Sequence, residues 1–156
     1  MTDLISLLVI AFGSALVPVI NIEAYLGLRA ALVAIDDPWL LGFVAAAGQM
    51  VGKVVWYYIG ASSLDWGWVR RRTEQPKAQA RLVKWRSRTA ERPVVATVLV
   101  FASALTGLPP FAILAVLAGQ LRMSLALFFV VGLAGRWLRF VAVLGGVGWV
   151  SRSGLI

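Results

Sequence analysis

The chain has 156 residues, 60% of them apolar and 14% charged, with a formal net charge of +8. Soluble domains average about 45–50% apolar and about 25% charged residues, so this composition points to a small integral membrane protein instead. The chain has no Cys and no His, which excludes disulfides, thiol chemistry and imidazole metal sites. No cofactor and no metal are expected.

Four apolar stretches follow one another. Residues 4–22 carry no charge, and the stretch continues past Glu23 to about residue 33. No basic residue precedes it, so it is expected to be structure rather than a cleaved leader. It has a break around Pro18 and Asn21. Residues 38–63 are interrupted only by Lys53, and no Pro follows Pro38. That stretch reads as an ordinary span, since about 20 apolar residues cross a bilayer.

The segment 64–92 holds nine of the fifteen basic residues and three of the seven acidic ones, a net +6. The positive-inside rule makes it cytoplasmic. Lys77, Arg81, Lys84 and Arg88 recur at helical spacing, with Ala78, Leu82 and Trp85 on the adjacent face. This pattern predicts a basic amphipathic helix lying on an anionic leaflet. No stacking or groove-reading motif accompanies the charge, so nucleic acid is not the expected partner. Tyr57, Tyr58, Trp66 and Trp68 are expected in an aromatic belt where the second stretch leaves the bilayer.

Residues 93–121 run for 29 residues without a charge, with Gly107, Leu108, Pro109 and Pro110 in the middle. Two prolines remove two backbone donors and clash with the preceding turn, so no straight helix passes through them. The flanking pieces would be about 24 Å and about 16 Å long, each short of the hydrocarbon core of about 30 Å. A kinked span and a re-entrant hairpin both fit, and the piece lengths favour the hairpin. The last stretch, 123–150, is interrupted only by Arg136 and Arg139 and reads as a span.

A weak internal repeat links the halves. Phe12 to Leu16 reads FGSAL, and Phe101 to Leu105 reads FASAL; Ala47-Gly48-Gln49 is matched by Ala134-Gly135-Arg136. Each half thus has a broken segment followed by a straight one: residues 1–63 (broken hairpin 4–33, span 38–63) and 93–156 (broken hairpin 93–121, span 123–150). With hairpins, only the straight segments cross, and the repeat is inverted, as is common in secondary transporters. The fold class is then an all-α membrane protein built as an inverted repeat around a basic linker.

Ionisable groups within a bilayer are costly and mark functional sites by default. Here they are Glu23, Lys53, Arg136 and Arg139, net +2, with Gln49 as a further polar candidate. Arg136 and Arg139 share a helix face by their spacing. Surplus positive charge suits an anionic substrate such as a lipid phosphate. Glu23 is expected to pair with one cation or to carry a coupling proton. Gly48 and Gly52 form a small-xxx-small face for close helix packing, and Gly119 and Gly135 are expected at helix contacts too.

The chain resembles the DedA family, also called the VTT or SNARE-associated membrane protein family. The likeness lies in the passage from Val17 and Pro18 to Glu23; in Gly48 and Gly52-Lys53 running to Tyr57-Tyr58-Ile59-Gly60; and in Thr106 to Pro110, Ala118-Gly119, Met123, Phe128, Gly135-Arg136 and Arg139-Phe140. The resemblance implies two re-entrant hairpins, transport of lipid (undecaprenyl phosphate in bacterial members, phospholipid scrambling in eukaryotic relatives) and proton coupling through membrane-embedded acidic and Arg residues. Two departures stand out. The family commonly has an Arg soon after the second Pro turn, where this chain has Phe111-Ala112-Ile113. It also often has a Glu directly after the first Pro, whereas Glu23 follows Pro18 by five positions.

The functional expectation is a flippase or scramblase of anionic lipid in a bacterial inner membrane, not an enzyme. Membrane lipids are the expected partners, and two crossings, which make a thin wall, suggest a homodimer. A small exporter of hydrophobic compounds and a membrane scaffold are the alternatives. No nucleophile–base arrangement or metal-ligand cluster favours catalysis.

Overall fold

The computed structural model describes residues 2–16, 22–32, 37–63, 93–108 and 110–153, with the isolated positions 65, 76, 80, 83, 84 and 87. Six helices lie there: α1 (Thr2–Leu16), α2 (Ile22–Leu32), α3 (Pro38–Ser63), α4 (Pro93–Thr106), α5 (Phe111–Gln120) and α6 (Leu125–Arg152). No strand occurs among the described residues. Two helices, α3 with 26 residues and α6 with 28, are long and apolar enough to cross a membrane. The order short, short, long occurs twice. Within each short pair the two helices are in contact.

Local chemistry sets the helix ends. Pro38 opens α3, where its missing N–H costs nothing. Asp37 Oδ1 caps the helix by accepting from Trp39 N and Leu40 N, both at 3.0 Å. Helix α4 stops at Thr106, and Gly107 follows with φ 80°, a backbone region that glycine enters without strain. Pro110 precedes α5, and its carbonyl accepts from Ile113 N at 3.0 Å. The break thus falls within the Gly-Leu-Pro-Pro passage. Pro109 lies outside the described residues, as do Pro18 and Asn21.

Helix α5 ends in a Schellman motif: Met123 N donates to Ala118 O at 2.9 Å and Arg122 N to Gly119 O at 3.0 Å. The residue in the left-handed position is Arg122, φ 53°, rather than glycine. Ser124 then caps α6, its Oγ accepting from Leu127 N at 3.4 Å. The last helix consequently begins at Leu125, two residues later than the span expected over 123–150.

The chain divides into two compact units, residues 1–52 with 133–156, and residues 53–132. In the first, α1 buries Leu7, Ala11, Ser14 and Ala15, and α2 buries Ile22, Leu26 and Ala30. Both sets recur every three or four residues and so form one face per helix. Leu7, Ala11, Ile22, Leu26 and Ala30 pack with Ala45, Ala46, Phe140 and Leu144. A Cβ on Gly48 would come within 2.7 Å of Leu8 O, and one on Gly52 within 3.0 Å of Phe12 O, so both glycines seat α1 closely against α3. Gly42 meets Val141 and Gln49 meets Arg136, so this part of α3 runs antiparallel to this part of α6. Trp137 Nε1 donates to Trp39 O at 2.9 Å, and its ring meets Trp39 and Phe43 edge-on.

In the second unit, α5 lies against α3 at two glycines. A Cβ on Gly119 would overlap the carbonyl of Tyr57, and one on Gly60 that of Val116. Between helices in a bilayer, close contact and hydrogen bonds count for more than expulsion of water, because lipid tails are as apolar as the core. Tyr57 supplies both. Its hydroxyl donates to Met123 O at 2.5 Å, and its ring lies 5.6 Å from Phe128, which stacks on Phe111. Tyr57 is therefore a buried tie, not the outward-facing belt residue expected; its neighbour Tyr58 is exposed. Ser63 Oγ accepts from Gln120 Nε2 at 3.1 Å.

In the basic linker, Lys84 is exposed and its carbonyl accepts from Ser87 Oγ at 3.0 Å. Lys77, Arg81, Trp85 and Arg88 lie outside the described residues.

Candidate functional site

Within the first unit four helices bring polar side chains together. Helix α6 contributes Arg136 and Arg139, three residues apart and hence on neighbouring positions of one face. Helix α2 contributes Glu23 in its first turn, where the helix dipole favours a carboxylate. Helix α3 contributes Gln49, and α1 contributes Ser14.

Two contacts organise the cluster. Arg139 binds Glu23 through two parallel bonds, Nε to Oε1 at 2.6 Å and Nη2 to Oε2 at 2.8 Å. This is the bidentate geometry for which a guanidinium is suited. Arg136 Nη1 donates to Gln49 Oε1. Gln49 Nε2 donates in turn to Ser14 Oγ at 2.9 Å, and the Ser14 hydroxyl donates to Ala11 O at 2.7 Å. A hydroxyl has one proton to give. While that bond is made, Ser14 serves Gln49 as an acceptor.

The cluster sits at the middle of the long helices. Gln49 and Arg136 each lie eleven residues past the first residue of their helix, Pro38 and Leu125. These are also the matched positions of Ala-Gly-Gln and Ala-Gly-Arg, so the repeat pairs two residues that bond to each other. Ser14 lies near the end of α1, and Glu23 near the start of α2. The end of α1 and the start of α2 thus meet the midpoints of α3 and α6. Ser14 and Ser103, matched in the FGSAL and FASAL runs, are both buried, at 5% and 1% exposure.

Of the candidates from sequence, Glu23, Gln49, Arg136 and Arg139 come together. Lys53 belongs to the second unit, where it is buried. Gly48, Gly52, Gly119 and Gly135 are all buried; the first three sit at close helix contacts. Ser14 entered the sequence reading only as a repeat member. Its signal was being a polar residue in an apolar run, which Ser6 shares. Gly42 and Gly60 as close contacts were missed altogether.

The three ionisable members sum to +1. One Arg is engaged by a carboxylate and the other by a neutral amide, in a setting where both are half-buried. Such a site is fitted to hold an anion by charge and directional N–H groups. Among the described residues no group of His, Cys, Asp and Glu has the arrangement of a metal site.

A family model described as VTT domain matches residues 7–147. No curated protein and no solved structure matches the chain.

Proposed function

The chain belongs to the VTT domain family, and on that premise we propose that it moves anionic lipid across a bacterial inner membrane, with the phosphate passing the Arg136 cluster at mid-membrane. VTT domain proteins are membrane-associated and transporter-like, and generally not enzymes. The observation that carries the reading is the depth of the cluster: two arginines, a carboxylate and an amide meet halfway along the two helices long enough to cross.

The same depth supports re-entrant hairpins. Helices of 15 and 11 residues are about 22 Å and about 16 Å long, too short to cross about 30 Å. The end of α1 and the start of α2 nevertheless reach the midpoints of α3 and α6. A pair that enters from one face, turns at half depth and returns has this geometry. Helices α4 and α5, of 14 and 10 residues, are likewise too short to cross and form the second pair. The antiparallel course of α3 and α6 supports an inverted relation between the halves. The basic linker then lies on the cytoplasmic side, and the end of α1 and the start of α2 line the path that the lipid phosphate follows. Glu23 is the group that carries a coupling proton or releases Arg139 during the cycle.

Purified protein in proteoliposomes tests this with a fluorescent lipid phosphate and quenching from outside. Transport faster than in empty vesicles, reduced in Arg136→Ala and Glu23→Gln, is expected. Wild-type protein no faster than empty vesicles overturns the reading. Transport of hydrophobic cations that survives Arg136→Ala would instead favour an exporter.

A further inference from the structure

Gln49 touches two elements at once. It donates to Ser14 on α1 and accepts from Arg136 on α6. At 6% exposure its amide depends on protein partners for both bonds. Turning it over would set its NH2 against the guanidinium, donor against donor, and would make Ser14 give up Ala11 O to meet the amide oxygen. The amide is therefore held, and it holds the guanidinium in turn.

Opposite a guanidinium the stronger acceptor is a carboxylate. The chain uses one for Arg139, in Glu23. At position 49 it carries the amide of the same size. We infer that Gln49 is the positioning residue for Arg136, fixing its guanidinium at the midpoint of the long helices while adding no negative charge there. Ser14 is the second link of the device: the donor-only guanidinium sets which way the amide faces, and the Ser14 oxygen anchors the amide's other end. The consequence is a site that prefers anionic over zwitterionic headgroups, and this consequence rests on the reading above that lipid is the substrate.

The test uses the full chain in nanodiscs and proteoliposomes, with Gln49→Leu, Gln49→Glu and Ser14→Ala. Glutamate has the same shape, and Ser14 keeps contact with it by rotating its proton towards the carboxylate; this variant therefore retains the packing. Arginine labelled with 15N reports on position. Wild-type protein is expected to show resolved, slowly rotating Nη signals for Arg136. These persist in Gln49→Glu and collapse to an averaged signal in Gln49→Leu, with Ser14→Ala in between. Transport reports on charge. With phosphatidic acid and phosphatidylcholine carrying the same fluorophore, Gln49→Glu lowers the ratio of the two rates by about tenfold, the scale of one charge-assisted hydrogen bond.

Arg136 signals that are the same in wild type and Gln49→Leu overturn the positioning role. A Gln49→Glu variant with the wild-type preference for phosphatidic acid overturns the role of the neutral amide. Wild-type protein that moves neither lipid overturns the transport reading alone, and the Arg136 signals then decide on Gln49 by themselves.

Discussion

Arg139 and Glu23 are joined by two parallel hydrogen bonds of 2.6 and 2.8 Å between α6 and α2. Their side chains are 22% and 33% exposed, so the pair is neither fully desolvated nor free in water. Removing one partner of a buried pair costs about 3–5 kcal/mol, and an exposed pair is worth under about 1 kcal/mol. Glu23→Ala is expected to fall between, at about 1–2 kcal/mol of lost stability in detergent. Arg139→Ala should cost a similar amount, and the double variant less than the two together. A double-mutant cycle with no coupling would mean that the bonds contribute nothing.

The two glycines between α3 and α5 give a steeper prediction. Gly119→Ala and Gly60→Ala each drive a methyl group into a backbone carbonyl, of Tyr57 and Val116 respectively. Overpacking of this kind costs about 1–3 kcal/mol. Gly13→Ala is the control, because nothing lies near its Cβ position. Thermal denaturation in detergent should separate the first two from the third; equal melting temperatures would contradict the close approach.

Arg122 holds a left-handed conformation that costs a non-glycine residue about 1–2 kcal/mol. Arg122→Val should lower stability by about that amount or more, since a branched side chain suits the position least. Arg122→Gly relieves the strain, against the lost interaction of a cation with a helix C-terminus, worth about 0.3–1 kcal/mol, and should match or exceed wild type. A valine variant as stable as the glycine variant would refute the assigned turn.

The natural absence of Cys makes single-cysteine labelling direct. If α4 and α5 form a hairpin, Val94 and Arg122 lie on the same side of the membrane. Val94→Cys and Arg122→Cys should then react with an impermeant thiol reagent from one face only, the face of the basic linker. Labelling from opposite faces would make the pair a kinked span.

Much of this architecture was legible from local rules. Proline chemistry set the break at 107–110, length and apolarity marked α3 and α6, and the cost of burying charge singled out Glu23, Arg136 and Arg139. What local rules lack is pairing across the chain. The spacing of Arg136 and Arg139 put both on one face but did not say which of them meets Glu23; that depends on where α2 lies along α6. The same holds for Ser14 and Gln49, 35 positions apart, and for Gly119 beneath Tyr57. Tyr57 was misread because an aromatic near a span end fits an interfacial belt as well as a core, and only its bond to Met123 separates the two. The left-handed Arg122 was invisible because glycine, not arginine, is the usual signal for that turn.

The most direct measurement is the initial rate of phosphatidic acid transport in proteoliposomes for wild type, Arg136→Lys and Arg136→Ala, with phosphatidylcholine in parallel. A guanidinium held at mid-membrane by Gln49 to receive phosphate predicts a loss of about tenfold or more in Arg136→Ala, with Arg136→Lys in between because a point charge remains without the forked donors. An Arg136→Ala rate equal to that of wild type would contradict the account.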